Sequence, residues 1–516
     1  MAHSNINRRF AAGPAGAGTR LLAALAVSGL LLAACSTSPA PETPADEGFR
    51  SWLEGAVPEL LDQALTPGVG VALIEKGELA WVQGWGHADV AADRPVEADT
   101  GFNIGSISKT VAAWGVMKLV EEGRLDLDTP VSQYLTRWQL PPSEEFDADG
   151  VTIRRLLSHT AGLSLHGYPG FGPDAELPSV EESLSGATNG SGDVHLMLAP
   201  GTEFDYSGGG YTLCQLLVEE VTGESFQDYL RATVLRPLGM ERSDYELTSE
   251  ILAGSATAYD NWGDITPNPR FTAQAAAGLH TTTRDLATFA LAALAGPAGE
   301  VPGRGILAPE TIAEMIVPAP ASGDNYGLGY SVAEGPGGRQ VVGHGGANRG
   351  WQSVFWIEPE SGDGLVVVTN GSNGRWVVSQ IENAWFSHPS GDAAPPKLSS
   401  QLAVIRAFKG GTGAEAVARY RELRENAADE VDFAEFHLNN VGYALLGRDR
   451  LDDAIEIFKL NVEMYPEAAN PYDSLGEAYF EQGDLDLSEV NYRKSLELDP
   501  ENTNAEEFLA RIAERR

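Results

Sequence analysis

Cysteine is nearly absent from this chain. Two occur in 516 residues, Cys35 and Cys214, too few for a disulfide framework to hold the fold. No cluster of Cys, His and carboxylate residues has zinc-site spacing, so the chemistry is expected to need no metal and no other cofactor. Basic residues are scarce beside acidic ones: 35 Lys and Arg against 73 Asp and Glu leave a formal net charge of −38. Such a field argues against nucleic acid and anionic membrane surfaces as partners. Lysine is rarer still, with seven in the chain, which makes each one worth inspecting. Long apolar runs are missing too. The N-terminal stretch Leu21 to Ala34 is uncharged and apolar but has only 14 residues, short of a membrane span. What is present is length and apolar content: 516 residues and 43% hydrophobic composition predict two or three domains with sizeable cores.

The N-terminus reads as an address. Arg8, Arg9 and Arg20 precede the apolar stretch, which ends Leu32-Ala33-Ala34-Cys35. A basic then apolar leader marks export. Small residues before a cysteine resemble a bacterial lipobox, which implies cleavage after residue 34, lipidation of Cys35 and a lipid anchor in the cell envelope. By the same resemblance Ser36 implies the periplasmic face of the outer membrane. Residues 35–48, rich in Pro, Ser, Thr and Ala, read as a flexible tether.

From there the chain alternates recognisable pieces. Val69 to Ile74 and Leu79 to Trp85 read as a hairpin around Glu75-Lys76-Gly77-Glu78. Helical segments follow at 111–120, 151–158, 211–221 and 285–294, with a long Gly-, Pro- and Ser-rich loop at 164–192. Strand-like runs return at 326–332, 339–344, 351–357 and 365–370. Two early strands, a helical middle and late strands predict an α+β domain whose sheet pairs the two ends of the chain under packed helices.

Three stretches carry chemistry. Ser106 and Lys109 in Gly105-Ser106-Ile107-Ser108-Lys109-Thr110 stand at i and i+3 at the head of a helix, so hydroxyl and amine can meet. A serine needs a neighbouring base to become a nucleophile, and a semi-buried amine, its charge disfavoured, can be that base. The helix N-terminus favours a developing oxyanion. Tyr206 lies in a glycine-rich loop before a helix. A tyrosine near a lysine loses its proton more easily, which would make it a general base. Gly343-His344-Gly345-Gly346-Ala347 sits at a strand end, where glycines let a substrate approach the backbone and N–H groups can point at an oxyanion beside that of Ser106. Each has a plainer alternative: a helix-capping Ser106 with a solvated Lys109, a buried Tyr206 with one satisfied hydroxyl, and a turn His344 bonded to backbone.

These stretches occur in a familiar order. Phe102 to Lys109, Leu156 to Leu163, Pro200 to Ser207, Pro237 to Met240 and Gly343 to Gly346 resemble the serine β-lactamase-related hydrolases: class C β-lactamases, family VIII esterases and D-stereospecific peptidases. The resemblance covers residues of about 48 to 385. It implies an antiparallel sheet flanked by helices, with a helical subdomain. It makes Ser106 the acylated nucleophile, Lys109 its partner in deprotonation and Tyr206 a proton relay. The backbone N–H groups of Ser106 and Ala347 would correspond to the oxyanion hole, with His344, Gly345 and Gly346 lining the substrate site. Two departures count against β-lactams. Where class C enzymes have Tyr-x-Asn the chain has Tyr206-Ser207-Gly208, and where they have Lys-Thr-Gly it has His344-Gly345-Gly346.

Past residue 400 the composition turns helical, and residues 441–470 repeat at 475–504 with an offset of 34, the tetratricopeptide period. The expected layout is a leader at 1–34, a tether at 35–48, a hydrolase domain at 49–386, a linker at 387–400 containing Pro395-Pro396, and repeats at 401–516. Repeats hold one another, so the hydrolase is expected to fold and cleave small esters without them, leaving them to bind a protein or peptide partner. The predicted activity is cleavage of an ester or amide, or of a D-amino acid peptide, through a Ser106 acyl-enzyme. The alternatives are a penicillin-binding DD-peptidase or β-lactamase, and an inactive interaction scaffold.

Overall fold

The computed structural model describes residues 45–335, 338–387 and 397–516. The leader, Cys35, most of the tether and Pro395-Pro396 lie outside the described residues. No helix among those described is long and apolar enough to cross a membrane.

The sheet has seven strands. In chain order they are β1 (Gly68–Glu75), β2 (Glu78–Asp89), β3 (Arg94–Pro95), β4 (Ser331–Glu334), β5 (Gln340–Asn348), β6 (Trp351–Glu358) and β7 (Asp363–Thr369). They lie in the spatial order β3-β2-β1-β7-β6-β5-β4. The two ends of the chain meet where β1 pairs antiparallel with β7, Val69 opposite Thr369 and Leu73 opposite Leu365. β1 is buried along seven of its eight residues, because both faces are covered and successive side chains serve opposite faces. Val69, Val71 and Leu73 join the core on one side, Ala72 and Ile74 the core on the other.

The outer face is covered by two helices, Ala45–Ala64 and Gly374–Ser387. Phe49, Leu53, Val57 and Leu61 from the first meet Val377, Val378 and Ile381 from the second. The first helix corrects the tether: residues 45–48 are its opening turn, and its apolar stripe at helical spacing buries against the sheet. The inner face carries the helical layer. Its central helix, Ser108–Glu121, is buried at eleven positions running from Ser108 to Leu119, as expected of a helix apolar all round. The 164–192 loop holds a short helix, Val180–Leu184, with a Ser179/Glu182 capping box.

The repeats form consecutive helices at Ser400–Gly410, Gly413–Asn426, Glu435–Leu446, Leu451–Met464, Ala469–Gln482, Leu485–Leu498 and Thr503–Arg515. The 34-residue period has a packing cause. A Cβ on Gly442 would lie 2.3 Å from the Phe458 ring, and one on Gly476 would lie 3.0 Å from the Tyr492 ring. In each pair an aromatic ring of the second helix fills the notch left by a glycine of the first.

The two parts meet at a small hairpin of the hydrolase domain. Residues 258–259 and 265–266 pair as a small hairpin, and its tip residue Trp262 is 5% exposed inside the repeat core, among Val404, Ile405 and Phe408. Arg448 stacks over that indole at 4.9 Å and bonds Asp260 at 2.6 Å and Asp264 at 2.9 Å. Leu65 packs on the same cluster, and Arg406 reaches the Asp62 carboxylate at 2.8 Å. A repeat stack exposes an apolar face at its first helix unless something caps it. Here the hydrolase domain supplies the cap.

Candidate active site

Ser106 stands in a single 3-10 turn, Gly105–Ile107, that leads directly into the helix Ser108–Glu121. Gly105 has φ +52°, and a Cβ there would lie 2.6 Å from the Ala347 nitrogen. Glycine thus lets the Ser106 turn press against the edge of β5, beyond Gly343 where the pairing with β4 stops. The junction is cross-bonded. Asn103 Oδ1 accepts from Gly105 N–H at 3.0 Å and from Asn348 Nδ2 at 2.6 Å, and Ser353 Oγ donates to Ile104 O at 2.9 Å. The backbone of Ser106 and that of Ala347 therefore face the same small space.

Lys109 is 2% exposed. Its Nζ lies 3.1 Å from Ser106 Oγ and 2.6 Å from Ala276 O, and 4.9 Å from the centre of the Tyr206 ring. No carboxylate compensates the amine, and burial pulls its pKa from 10.5 down to about 7. Near neutral pH a large share of Lys109 is thus an uncharged amine with a lone pair. Ala276, whose carbonyl meets the amine, lies on the short helix Gln274–Ala277.

Tyr206 precedes the helix Gly208–Thr222, which Ser207 caps by accepting from Gly210 N–H at 3.0 Å. Here the electrostatics reverse the expectation. Burial pushes the Tyr206 phenol well above its ordinary 10, opposed only by the neighbouring Ser106 hydroxyl. A largely neutral Lys109 cannot draw the proton off. At rest the base is Lys109, and Tyr206 holds its proton.

His344 lies in the cleft wall with both ring nitrogens engaged. Nδ1 sits 2.5 Å from Gly345 O and Nε2 sits 2.9 Å from the Tyr326 hydroxyl. Burial lowers its pKa from 6.5 to about 4, so the ring is neutral, Nδ1 donates and Tyr326 donates to Nε2. It offers a substrate neither charge nor a free nitrogen. Gly346 must be glycine, since a Cβ would lie 1.9 Å from Ile104 O. At Gly345 the nearest atom to a Cβ would be 3.9 Å away, so its bareness leaves room on the cleft side.

Two residues went unassigned in the sequence. Tyr326, which fixes His344, sits in an irregular run before β4. His159 occupies positive φ, +57°, and its ring stacks on Tyr206 with centroids 4.1 Å apart. Its Nδ1 accepts from Ser207 N–H at 3.1 Å, which leaves the proton on a buried Nε2 with no partner. Its place in Leu156 to Leu163 was the available signal.

Ser106, Lys109, Tyr206 and His344 line a cleft of about 430 Å³, with Gln352 and the exposed Arg375 at its rim; Tyr326 and His159 stand behind that lining. In a chain of net charge −38, no carboxylate lines the cleft. With Lys109 brought close to neutrality and the histidines lowered, Arg375 is its permanent cation. A second cleft of about 470 Å³ lies between Arg231, Asp244 and Glu250, but it holds no serine–lysine pair. Among the described residues no cluster of His, Cys, Asp and Glu could hold a metal ion.

Known proteins resemble this chain in sequence and fold. Residues 53–383 match the Beta-lactamase family and residues 469–502 a Tetratricopeptide repeat. Protein flp of Staphylococcus aureus is 27% identical over 239 residues, 44% of this chain and 45% of its own. The putative penicillin-binding protein PbpX of Bacillus subtilis is 25% identical over 269 residues, 51% of this chain and 61% of its own. The chain thus spans about half the length of these curated relatives. An octameric penicillin-binding protein homologue from Pyrococcus abyssi superposes with a TM-score of 0.56 at 27% identity, over 70% of this chain and 81% of that one. D-amino acid amidase from Ochrobactrum anthropi superposes at 0.54 with 23% identity, over 66% and 98%, a likeness of fold alone. With a family match across most of its length and the family's motifs gathered at one cleft, the chain belongs to the beta-lactamase family and ends in a tetratricopeptide repeat region.

Proposed function

We propose that the protein is an exported, lipid-anchored serine hydrolase that cleaves esters or amides of anionic acyl compounds through a Ser106 acyl-enzyme. The observation that carries this reading is the Lys109 amine, deprived of counter-charge and 3.1 Å from Ser106 Oγ. In its neutral form Lys109 accepts the Ser106 proton while Oγ attacks the carbonyl carbon. The oxyanion develops between the N–H groups of Ser106 and Ala347, beside a helix start that favours negative charge. Tyr206, protonated at rest, gives its proton to the leaving group and is reprotonated from Lys109, and a water then releases the acyl group by the reverse relay.

Support for an anionic substrate comes from the lining: no carboxylate and one permanent cation, Arg375, whose partner Glu382, 3.5 Å away, lies outside the lining. Amides of D-amino acids and penicillin-binding chemistry, named for the relatives and neighbours, define the neighbouring substrate classes. A β-lactamase is the less favoured reading, because neutral, fully bonded His344 stands where a lysine would meet the β-lactam carboxylate. Export and the anchor at Cys35 rest on the leader sequence. Turnover of p-nitrophenyl acetate by wild type and Ser106→Ala tests the proposal: activity should fall by several orders of magnitude, and retention of most of it defeats the reading. Membrane fractionation of wild type against Cys35→Ala tests the anchor, and equal soluble fractions would defeat it.

A further inference from the structure

The repeats contribute no residue to the cleft lining, yet its rim is tied to them. The tie is the hairpin around Trp262. On its inner side the hairpin is bonded to the segment that ends β7 and begins the helix Gly374–Ser387. Tyr259 N–H donates to Asn370 O at 3.0 Å, Ser372 N–H donates to Tyr259 O at 2.9 Å, and Asn373 Nδ2 donates to Asn261 O at 2.8 Å. The next residue, Gly374, allows no slack, because a Cβ there would lie 1.9 Å from Thr369 Oγ1. Arg375 follows at once, 61% exposed at the side chain and 3.5 Å from Glu382.

On its outer side the same hairpin is gripped by the repeats. Asp260 Oδ1 accepts from the N–H groups of Trp262 and Asp264, which shapes the tip, and Asp260 Oδ2 meets Arg448 at 2.6 Å. Trp262 fills the space between Phe408 and Arg448, its ring 5.7 Å from Phe408 and 4.9 Å from the guanidinium. An indole buried against an aromatic ring and capped by a cation is a strong, directional anchor. The Ser106–Lys109 pair is held elsewhere. Ser108 Oγ bonds Gly105 O and Leu279 N, and Tyr245 OH donates to Ser108 O. None of these bonds comes from the hairpin.

We propose that the repeats are a positioning element for substrate: through Trp262 and Arg448 they fix the rim that carries Arg375, and so set affinity for the anionic part of the substrate without entering the chemistry at Ser106. The inference rests on the anionic-substrate reading above. Disturbing the dock loosens the rim, so KM for an anionic substrate changes while kcat and the turnover of a small neutral ester do not.

The test uses full-chain wild type, Trp262→Ala, Trp262→Phe, Arg448→Ala and Arg375→Ala on two esters, p-nitrophenyl acetate and mono-p-nitrophenyl glutarate. Trp262→Ala and Arg448→Ala should each raise KM for the glutarate ester at least fivefold, with kcat within twofold and kcat/KM for the acetate within twofold. Trp262→Phe should return that KM to within twofold of wild type. Arg375→Ala should raise the same KM, and adding Trp262→Ala to it should add little. Arg448 is partly exposed and its loss leaves the apolar dock in place, so Arg448→Ala decides the matter where Trp262→Ala fails to fold. Parallel losses on both esters, or an unchanged KM in Arg448→Ala, overturn the inference. Wild type inactive on both esters, or Arg375→Ala with unaltered KM, defeats the proposed function and this inference with it. Dependence on Arg375 with silent Trp262 and Arg448 defeats the coupling alone.

Discussion

Replacing Lys109 by Met should cost activity and change stability with a signature in pH. Met fills similar length without charge. In the folded protein the Lys109 pKa is pulled from 10.5 to about 7 by burial. Each pH unit between folded and unfolded values is worth about 1.4 kcal/mol. At pH 6 both states carry the charge, and keeping it in the core costs the wild type about 5 kcal/mol. At pH 9 the folded amine is neutral while the unfolded one is still protonated, and the cost falls to about 2 kcal/mol. The unfolded state binds more protons between pH 7 and 10.5, so wild-type stability from this group rises with pH across that window. Met also abandons two acceptors, Ser106 Oγ and Ala276 O, a loss of about 1–3 kcal/mol each at most. That loss is the same at both pH values and cancels in the comparison. Equilibrium urea unfolding of Lys109→Met and wild type should therefore show the variant's stability relative to wild type falling by about 3 kcal/mol from pH 6 to pH 9. A difference that stays flat across this range would refute the uncharged amine and, with it, Lys109 as resting base.

Other outcomes follow from the same geometry. In wild type, kcat/KM for p-nitrophenyl acetate should rise with pH through about 7 as Lys109 loses its proton, then level off; a profile flat from pH 5 to 9 would contradict this. Tyr206→Phe should lower kcat by about 10²-fold or more with little change in KM, measured on the same ester. Gly105→Ala puts a Cβ 2.6 Å from the Ala347 nitrogen at φ +52°, so it should abolish most turnover; a fully active, normally folded variant would rule out the close approach. Tyr326→Phe leaves His344 Nε2 buried without a donor, which should lower unfolding free energy by about 1–3 kcal/mol in urea.

Much of this was readable along the chain, and the remainder has identifiable causes. The β1–β2 hairpin, the late strands and the helix behind Ser106 announce themselves through local pattern, and Ser106 and Lys109 are three residues apart. Gly123 and Gly223 both adopt positive φ where their helices stop, as a terminal glycine suggests. The helix Ala45–Ala64 was masked by a Pro-, Ala- and Asp-containing start and by Pro58 within it. Its partner helix Gly374–Ser387 follows directly on the last strand. Tyr326 and His159 gain meaning only from residues far away in sequence, Tyr326 from His344 and His159 from Tyr206 and Ser207. The ionisation of Tyr206 is not legible in sequence, because residue type and proximity to a lysine suggest a lowered phenol, whereas burial decides the sign. Trp262 lies more than 140 residues from the Phe408 and Arg448 that enclose it, in a two-strand hairpin too short to show a period.

The central claim is an acyl group on Ser106. Intact wild type is mixed with p-nitrophenyl acetate, quenched in acid within the first turnover, digested and mapped by mass spectrometry, with a fluorophosphonate-labelled sample and Ser106→Ala alongside. Acetyl and phosphonyl adducts should both map to the peptide bearing Ser106 and vanish in Ser106→Ala. Adducts on any other residue, or ester turnover with none on Ser106, would contradict the account.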